Sequence, residues 1–476
     1  MPNKLTKLPI KAYFDRIAPS RIAYRKSKSY YWNSITKYFN YFCHEESSVL
    51  EIGCGTGELI HQINGSRKTG IDFSETMIAE AKKQFPGEDF RVMAAEKLAL
   101  DQTYDVVVLS NLLGHLYDVQ TVFDQLPKVC HDHTKVMISY YNQFWEPFIH
   151  FAEWIRLKKP APKQNWLSQK DIENLLYLSG FESYRHAKKI LIPYNIPILS
   201  WLFNKVIANL PIFNSFCLNK YVFARQMPTS EDVSKKYSVS VVIPARNESG
   251  NIENAILQMP EFSKHLEIIF VEGNSTDDTW DKIQEIQQKY IFTHDIKITR
   301  QDGKGKGDAV RKGYAMAQGD ILMILDADLT VPPQTLPLFY NALASGKGDF
   351  INGTRLIYPM EKNAMRLLNM IGNKMFGIGF SWMLEQPIKD TLCGTKVMFK
   401  TDYVHLTQNR KFFGDFDPFG DFDLIFGAYK LNLKIIDLPI RYKERVYGDT
   451  NISRFKHGFL LLKMWFFAAG KIKFYH

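Results

Sequence analysis

GDILMILDADLTVPP, residues 319–333, is the stretch from which the fold of the second half is read. Ile321 to Leu325 form an unbroken apolar run of strand length, the pattern of a strand covered on both faces in a parallel sheet. The run stops at Asp326-Ala327-Asp328. Side chains alternate along an extended chain, so Asp326 and Asp328 are expected on one side. Two carboxylates just past the carboxyl end of a buried strand are costly without a cation between them. A divalent ion with oxygen ligands, Mg2+ or Mn2+, carrying a diphosphate answers that need. An acidic turn is the bland alternative, and D-x-D alone does not choose between them.

The neighbouring segments repeat a strand-loop-helix rhythm. Val239 to Ile243 in SVSVVIPARNESGNIENAI is a strand, and Asn247 to Asn251 lead into a helix. LEIIFVEG is a second strand ending at Glu272, and Asn274, Ser275 and Asp277 then offer helix-capping oxygens. Gly303 to Gly307 alternate with Lys304 and Lys306 on a loop before a helix, which suits phosphate contact or a solvated basic turn. The acidic run GDFDPFGDFD, residues 414–423, could hold further ligands, but a loop capping the next helix through Asp421 explains it as well, and no catalytic role is read there. At the end, Leu460–Leu462 and Trp465–Ala469 form an apolar block among Lys456, Lys463, Lys471 and Lys473. That block is too short to span a bilayer and suits an interfacial helix, or one packed back on its domain.

The first half opens with an amphipathic helix from Tyr30 to Phe42. It is followed by SSVLEIGCGTGELI: a strand from Val49 to Ile52, a turn with Gly53, Gly55 and Gly57, and a helix near Glu58. Glycines there let the backbone approach a ligand. Asp72 ends a second strand about twenty residues on, where an acid can bond ribose hydroxyls. YDVVVLSNLLGHL is a further parallel strand. The E-I-G-C-G-T-G sequence and Asp72 resemble the class I S-adenosylmethionine-dependent methyltransferases over residues 10–225. The resemblance implies that Gly53, Gly55 and Gly57 back the methionine part, that Glu51 sits beneath it, that Asp72 takes the ribose and that Met77 lies near the adenine. Ala94 stands where many relatives carry an acid. His115 reads as a capping or packing residue rather than a base, since methyl transfer from a sulfonium needs mainly in-line placement.

Residues 143–225 are unusual. Arg156 to Trp166 form a basic, proline-broken loop, and Ser168 caps a helix closed by Gly180. An apolar stretch broken by Pro193, Pro197 and Pro211 follows, read as a helical insertion over about 185–220. It suits a flap on a membrane, a grip on a greasy acceptor, or an inter-domain surface. Residues 226–236 read as a linker.

Composition sets wide bounds. The 476 residues carry a net charge of +10, 45% hydrophobic and 23% charged residues, ordinary for globular domains. The positive balance favours anionic partners. The scattered Cys43, Cys54, Cys130, Cys217 and Cys393 give neither a disulfide framework nor a zinc site, and a reducing cytoplasm fits. No signal peptide or spanning run is read. The lysines lie in phosphate-loop and interfacial contexts, which argues against nucleic acid.

In register, VVIPARNE, VEGNSTDDT, GKGKGDAVRKG, DADLTVPP, NGTR, DTLCGTK and ERVYGDTNI resemble the family 2 glycosyltransferases of GT-A fold over residues 238–470. The dolichol-phosphate mannose synthase branch is nearest, through Arg445, Tyr447, Gly448 and Thr450. With the first half included, the chain resembles bacterial bifunctional methyltransferase/glycosyltransferase fusions. The fold expected is α/β: a Rossmann-like methyltransferase domain over 1–225 and a GT-A nucleotide-sugar-binding domain over 237–476. The resemblance implies that Pro244, Arg246 and Glu248 flank the nucleotide, that Glu272 contacts the base, and that Asp326 and Asp328 hold metal and diphosphate. Thr330 stands where synthases often place a glutamine ligand. Glu272-Gly273 replaces the usual paired aspartates, leaving a UDP- or GDP-sugar open. Arg355 can meet the diphosphate or an acceptor phosphate as a planar fork. Asp390 would be general base for a hydroxyl acceptor. For a polyprenyl phosphate it would only organise the site, with Arg445 gripping the phosphate. The absent processive Q-x-x-R-W motif points to single-sugar transfer.

The function implied is metal-dependent inverting sugar transfer to a polyprenyl phosphate or membrane-associated glycan, plus methyl transfer from S-adenosylmethionine to a glycan. The location implied is peripheral on the cytoplasmic face of the membrane. The alternative is transfer to a soluble or protein hydroxyl, with the first half a cofactor-binding scaffold.

Overall fold

The computed structural model describes residues 4–155, 162, 164–228, 233–358, 367–408, 421–443, 447 and 454–474. The chain divides into two compact units, Met1–Met227 with Lys473–His476, and Pro228–Ile472. Each is built on its own seven-stranded sheet.

The first sheet contains β1 (Ser48–Ile52), β2 (Arg67–Asp72), β3 (Asp89–Val92), β4 (Tyr104–Ser110), β5 (Cys130–Tyr141), β6 (Phe181–Lys189) and β7 (Asn219–Gln226). Their order is β3-β2-β1-β4-β5-β7-β6. Pairing is parallel as far as β5, and β7 is antiparallel to both β5 and β6. Val106 to Leu109 are buried consecutively, which is why β4 reads as an apolar run rather than an alternation. The strand order reverses between β1 and β4, and ligands of open sheets bind at the carboxyl ends beside such a reversal.

The helix Ser29–Asn40 lies where the aromatic spacing predicts one. Ser168 and Asp171 form a reciprocal capping box on the helix Gln169–Leu178. The helix Lys4–Ser27 was not legible in the sequence. The predicted insertion over about 185–220 is shorter: β6 continues to Lys189 and β7 begins at Asn219. Its charged residues hide the strand pattern, because Arg185 is buried with its guanidinium 4.4 Å above the Phe42 ring and Lys189 lies 5.5 Å from the Tyr38 ring. Cation–π contacts make such burial tolerable.

The second sheet contains β8 (Val239–Ala245), β9 (Leu266–Glu272), β10 (Asp295–Arg300), β11 (Ile321–Ile324), β12 (Phe350–Thr354), β13 (Lys396–Phe399) and β14 (Ile435–Pro439). Their order is β10-β9-β8-β11-β13-β12-β14. All four residues of β11 are buried, as the run predicts. Its neighbours are β8, parallel, and β13, antiparallel. It is therefore the last strand of the parallel half rather than the interior of a wholly parallel sheet.

The chain also turns sooner than expected. Leu329 N donates to Asp326 O at 3.1 Å, and Leu329 has φ of +52°. The alternation argument stops at Leu325, and a turn, not a strand, aims Asp326 and Asp328. Residues 414–420 of the acidic run lie outside the described residues. Among the described residues, no helix is long and apolar enough to cross a membrane.

Candidate active sites

In the first unit, β1 runs into Gly53-Cys54-Gly55-Thr56-Gly57, where the three glycines have φ of +78°, +57° and +83°. A Cβ on Gly57 would lie 2.6 Å from Phe90 Cζ, so glycine is required there both by conformation and by space. Asp72, at the end of β2, closes this loop: Gly55 N donates to its Oδ2 and Ser74 N to its Oδ1, each at 2.9 Å. Burial raises the Asp72 pKa while these two N–H groups oppose the rise. An ionised carboxylate offers about four lone-pair sites, so two remain for ligand hydroxyls.

Glu51 is buried beneath the loop and accepts from Ile60 N at 2.9 Å. Burial pushes its carboxyl up to about 8, against the attraction of Arg25. Met77 is buried in the helix Glu75–Gln84, and its N donates to the capping Ser74 Oγ.

The helix Lys4–Ser27 closes the other side. A Cβ on Gly55 would lie 3.0 Å from Arg21 Nε, so this guanidinium stands over the glycine loop. Arg25 is buried, 3.2 Å from Glu58 and 4.0 Å above the Trp32 ring. Phe14 meets His115 edge-on at 5.2 Å and Phe73 at 6.0 Å. Asp15 accepts from Ser74 Oγ and Thr76 Oγ1, each at 2.5 Å, and pins the helix to the turn after β2. Beyond β4 and β5 a small cleft is lined by Asn111, His115, Tyr140, Tyr141, Gln164 and Trp166, among others.

In the second unit, the ends of β8 and β9 are laced together. Gly273 N donates to Ala245 O, Asn247 N to Ser275 Oγ, and Thr276 N to Asn247 Oδ1. Pro244 lies within β8, Arg246 is exposed, and Glu248 is buried and accepts from Asn251 Nδ2. Glu272 is buried and accepts from Ser275 N.

Lys304 is exposed, while Lys306 turns inward and puts its Nζ 2.6 Å from Asp326 Oδ1. The cation expected between carboxylates is thus supplied to Asp326 by the protein itself. Burial alone would raise the Asp326 carboxyl; Lys306, Lys396 and Arg355 instead hold it below its ordinary value. Asp328 accepts from Thr330 N at 3.1 Å and Thr330 Oγ1 at 2.8 Å. Gly394 seals this cluster, since a Cβ there would collide with Asp326 Oδ2 and Lys306 Nζ.

Asp390 is fully buried and saturated. Arg355 donates to it from Nε at 2.7 Å, from Nη2 at 2.8 Å and from its backbone N at 3.1 Å, and Leu392 N adds a bond at 3.2 Å. Burial opposes ionisation, but Arg355 holds the carboxyl below its usual range. This is the geometry of an anchor for Arg355 and not of a group poised to take a proton. The Arg355 guanidinium lies 5.1 Å from the Tyr442 ring. Arg445, Gly448 and Thr450 lie outside the described residues. Tyr447 reaches the β8 loop, with its Oη 3.0 Å from Ser249 Oγ and its ring against Gly250.

Residues 24–186 match the family model for a methyltransferase domain, and residues 240–412 match that of glycosyl transferase family 2. The chain joins a methyltransferase domain to a family 2 glycosyltransferase domain. Over 122 residues it is 36% identical to a dolichol-phosphate mannosyltransferase of Pyrococcus furiosus, covering 25% of this chain and 33% of that protein. Over 110 residues it is 34% identical to the dolichol-phosphate mannosyltransferase of Saccharomyces cerevisiae, covering 22% of this chain and 40% of that one. The matches thus span only 33% and 40% of these relatives' own lengths. A solved S-adenosylmethionine-dependent methyltransferase from Thermotoga maritima aligns with 45% of this chain and 99% of its own, at 14% identity and a TM-score of 0.36.

Several residues at these sites escaped the sequence reading. In the first unit they are Phe14, Asp15, Arg21 and Arg25, all on a helix whose inward face mixes Ala18 with Arg25 and which therefore lacks a simple apolar stripe. In the glycosyltransferase domain they are Gly394, Lys396 and Asp437. Lys396 is fully buried and donates to Cys393 O at 2.5 Å. Asp437 accepts from Asn352 Nδ2 at 2.7 Å, and the same amide donates to Asp390 O at 2.9 Å. Burial pushes Asp437 up to about 6. The run DTLCGTK was available as a signal, but no spacing rule distinguishes its buried lysine from a surface one.

Proposed function

We propose that the glycosyltransferase domain moves a single sugar, with inversion, from a UDP- or GDP-sugar to a polyprenyl phosphate or a membrane-associated glycan. The observation that carries the reading is the saturated Asp390. A hydroxyl acceptor needs a base within reach, and Asp390 is occupied by Arg355. A phosphate acceptor is already anionic and needs cations and positioning instead. Arg355, held by Asp390, and Arg445 would supply them, while Pro244, Arg246, Glu248 and Glu272 would frame the nucleotide and Lys304 and Lys306 its phosphates.

Asp326 and Asp328 would hold Mg2+ or Mn2+. No group of three or more His, Cys, Asp or Glu side chains suited to a metal occurs among the described residues. Mg2+ nonetheless binds through one or two carboxylates when substrate phosphates and water complete the shell, so Asp328, with Asp326 once Lys306 turns to the donor phosphates, would suffice for a metal that arrives with its donor. The ion would neutralise charge developing on the departing nucleoside diphosphate.

In the methyltransferase domain the glycine loop, the remaining lone pairs of Asp72 and the cation of Arg21 fit S-adenosylmethionine, with Glu51 beneath it. That cofactor supplies an electrophilic methyl group, and the acceptor would be a glycan or its carrier. Ala94, with no acid for the adenine amine, favours a second reading in which this domain binds the cofactor as a scaffold.

The protein would work peripherally at the cytoplasmic face of the membrane. The helix Arg454–Ile472 supports this by exposing Phe459 and Phe466 while Trp465 stacks on Trp382 at 5.7 Å.

The test is nucleotide-sugar turnover and lipid-linked product, with and without Mn2+, for wild type, Asp328→Ala and Asp390→Asn. Asp328→Ala should abolish metal-stimulated product. Asp390→Asn should cost less than the ~10²–10⁴-fold loss of a removed general base. Equal turnover of Asp328→Ala and wild type sinks the metal assignment, and a base-sized loss confined to hydroxyl acceptors sinks the phosphate one.

A further inference from the structure

The chain between β6 and β7, residues 190–218, leaves the first sheet and carries a paired backbone feature. Pro197-Ile198-Leu199 and Pro211-Ile212-Phe213 are each closed by a hydrogen bond from the third residue's N to the first residue's O, at 2.7 and 2.9 Å. The central residues have φ, ψ of +64°, −49° for Ile198 and +74°, −60° for Ile212. These are γ-turns of the rare, strained kind, and β-branched isoleucine is among the residues least suited to positive φ.

Both strained residues point at water: Ile198 is 81% and Ile212 77% exposed. Burial does not repay the strain, so the fold gains nothing from isoleucine at these tips. In the same segment Trp201, Phe213 and Tyr194 are also exposed, as is Trp154 on the helix Glu146–Trp154. The patch is built, not loose. Asn142 Nδ2 donates to Ser215 O and Cys217 O, Trp145 Nε1 to Phe216 O, and Asn204 Oδ1 accepts from Leu191 N and Ile192 N.

Charge selects what covers it. No Asp or Glu occurs between Glu182 and Glu231, whereas Lys188, Lys205 and Lys220 do. Lys28 lies 4.5 Å from the Tyr194 ring. The helix bearing Trp154 carries Glu146, 3.9 Å from His150, and Glu153, and is followed in sequence by Arg156, Lys158 and Lys159, which outnumber them. Tryptophan and tyrosine at an apolar–polar boundary, aliphatic tips and an acid-free segment bordered by lysines are the chemistry of an interfacial anchor on anionic lipid.

We infer that residues 190–218, with the helix Glu146–Trp154, dock the methyltransferase unit onto an anionic bilayer, the two isoleucine turns entering the headgroup boundary. This deepens the peripheral-membrane part of the reading above. Because binding is measured apart from turnover, either can fail alone.

The experiment is flotation of the full chain with vesicles of phosphatidylcholine, alone or mixed with phosphatidylglycerol. Wild type is compared with Ile198→Gly/Ile212→Gly and with Phe459→Glu/Phe466→Glu. Glycine suits both turns, so the first variant should unfold no earlier than wild type. It should nevertheless bind mixed vesicles about tenfold or more weakly, since two apolar tips no longer leave water. Wild type should prefer the mixed vesicles, and added salt should weaken that preference. Quenching of Trp154 and Trp201 fluorescence by brominated lipid, lost in Trp154→Phe/Trp201→Phe, should report contact. The inference is overturned if wild type fails to float, if the glycine variant floats as well, or if only the Phe459/Phe466 variant loses binding. It is equally overturned if sedimentation without lipid shows a dimer that the glycine variant dissociates, because the patch would then pair two copies.

Discussion

Glu51 carries a testable proton. Its folded-state pKa of about 8 lies above the ordinary carboxyl value of 4.5 because burial dominates. The folded protein therefore holds a proton that the unfolded chain releases between those values, so this group's contribution to stability is full below pH 4.5 and is lost as pH rises toward 8. A sulfonium bound above Glu51 favours the ionised form. S-adenosylmethionine should therefore bind more tightly as pH rises from 6 to 8, by at most about tenfold per unit, and level off above that. Glu51→Gln should flatten the difference, and calorimetry across that range checks it; parallel profiles would remove Glu51 from the site. Gly394 offers a steric test at the other site. Gly394→Ala forces Asp326 and Lys306 apart, and a displacement of about 1 Å at a reacting centre costs roughly 10²-fold in rate. Turnover should fall by about that factor, and a variant with normal kcat would show that the Asp326–Lys306 pair can move freely.

Among the elements, the helix Lys4–Ser27 has most to do and was least visible. Its Arg21 stands over Gly55, where a cofactor carboxylate would lie. A charge-assisted hydrogen bond of this kind is worth about 1.5–3 kcal/mol, so Arg21→Ala should weaken S-adenosylmethionine binding by roughly tenfold to a hundredfold, read by calorimetry. An unchanged Kd would mean the helix only covers the loop. The contrast with β1 and β11 explains what sequence can convey. Their apolar runs are local, so both strands and the glycine turn after β1 could be read directly, whereas the turn that aims Asp326 and Asp328 could not. The helix Lys4–Ser27 turns Arg25 inward together with Ala18, with Phe14 packed on Phe73 and His115, and this mixed face blurs the periodicity that announces a helix. β6 hides Arg185 and Lys189 among aromatic rings, and the occupation of Asp390 by Arg355 joins residues 35 apart in the chain. Such pairings follow from the order of β13, β12 and β14, which no short window contains.

At the scale of the molecule, two sheets with separate cores argue for two stability domains. One core gathers around Val107 and Ile138, the other around Val241 and Met323. In both sheets the order of the parallel strands reverses, at β1/β4 and at β8/β11, and each candidate site lies at the carboxyl ends beside that reversal. Each site is thus held by its own core, and a ligand should stabilise only the unit that binds it. A ligand at about 100 times its Kd adds about 2.7 kcal/mol, and in units of this size each kcal/mol raises an unfolding midpoint by roughly 2–4 °C. Calorimetric scans should therefore show two transitions, one raised by S-adenosylmethionine and the other by UDP or GDP with Mn2+. Asp328→Ala should remove the metal-dependent part of the second shift and leave the first intact. Whichever nucleotide gives the larger shift identifies the donor class. A single transition raised equally by both ligands would instead make the two sites one cooperative body, and a substitution at either would then be felt at both.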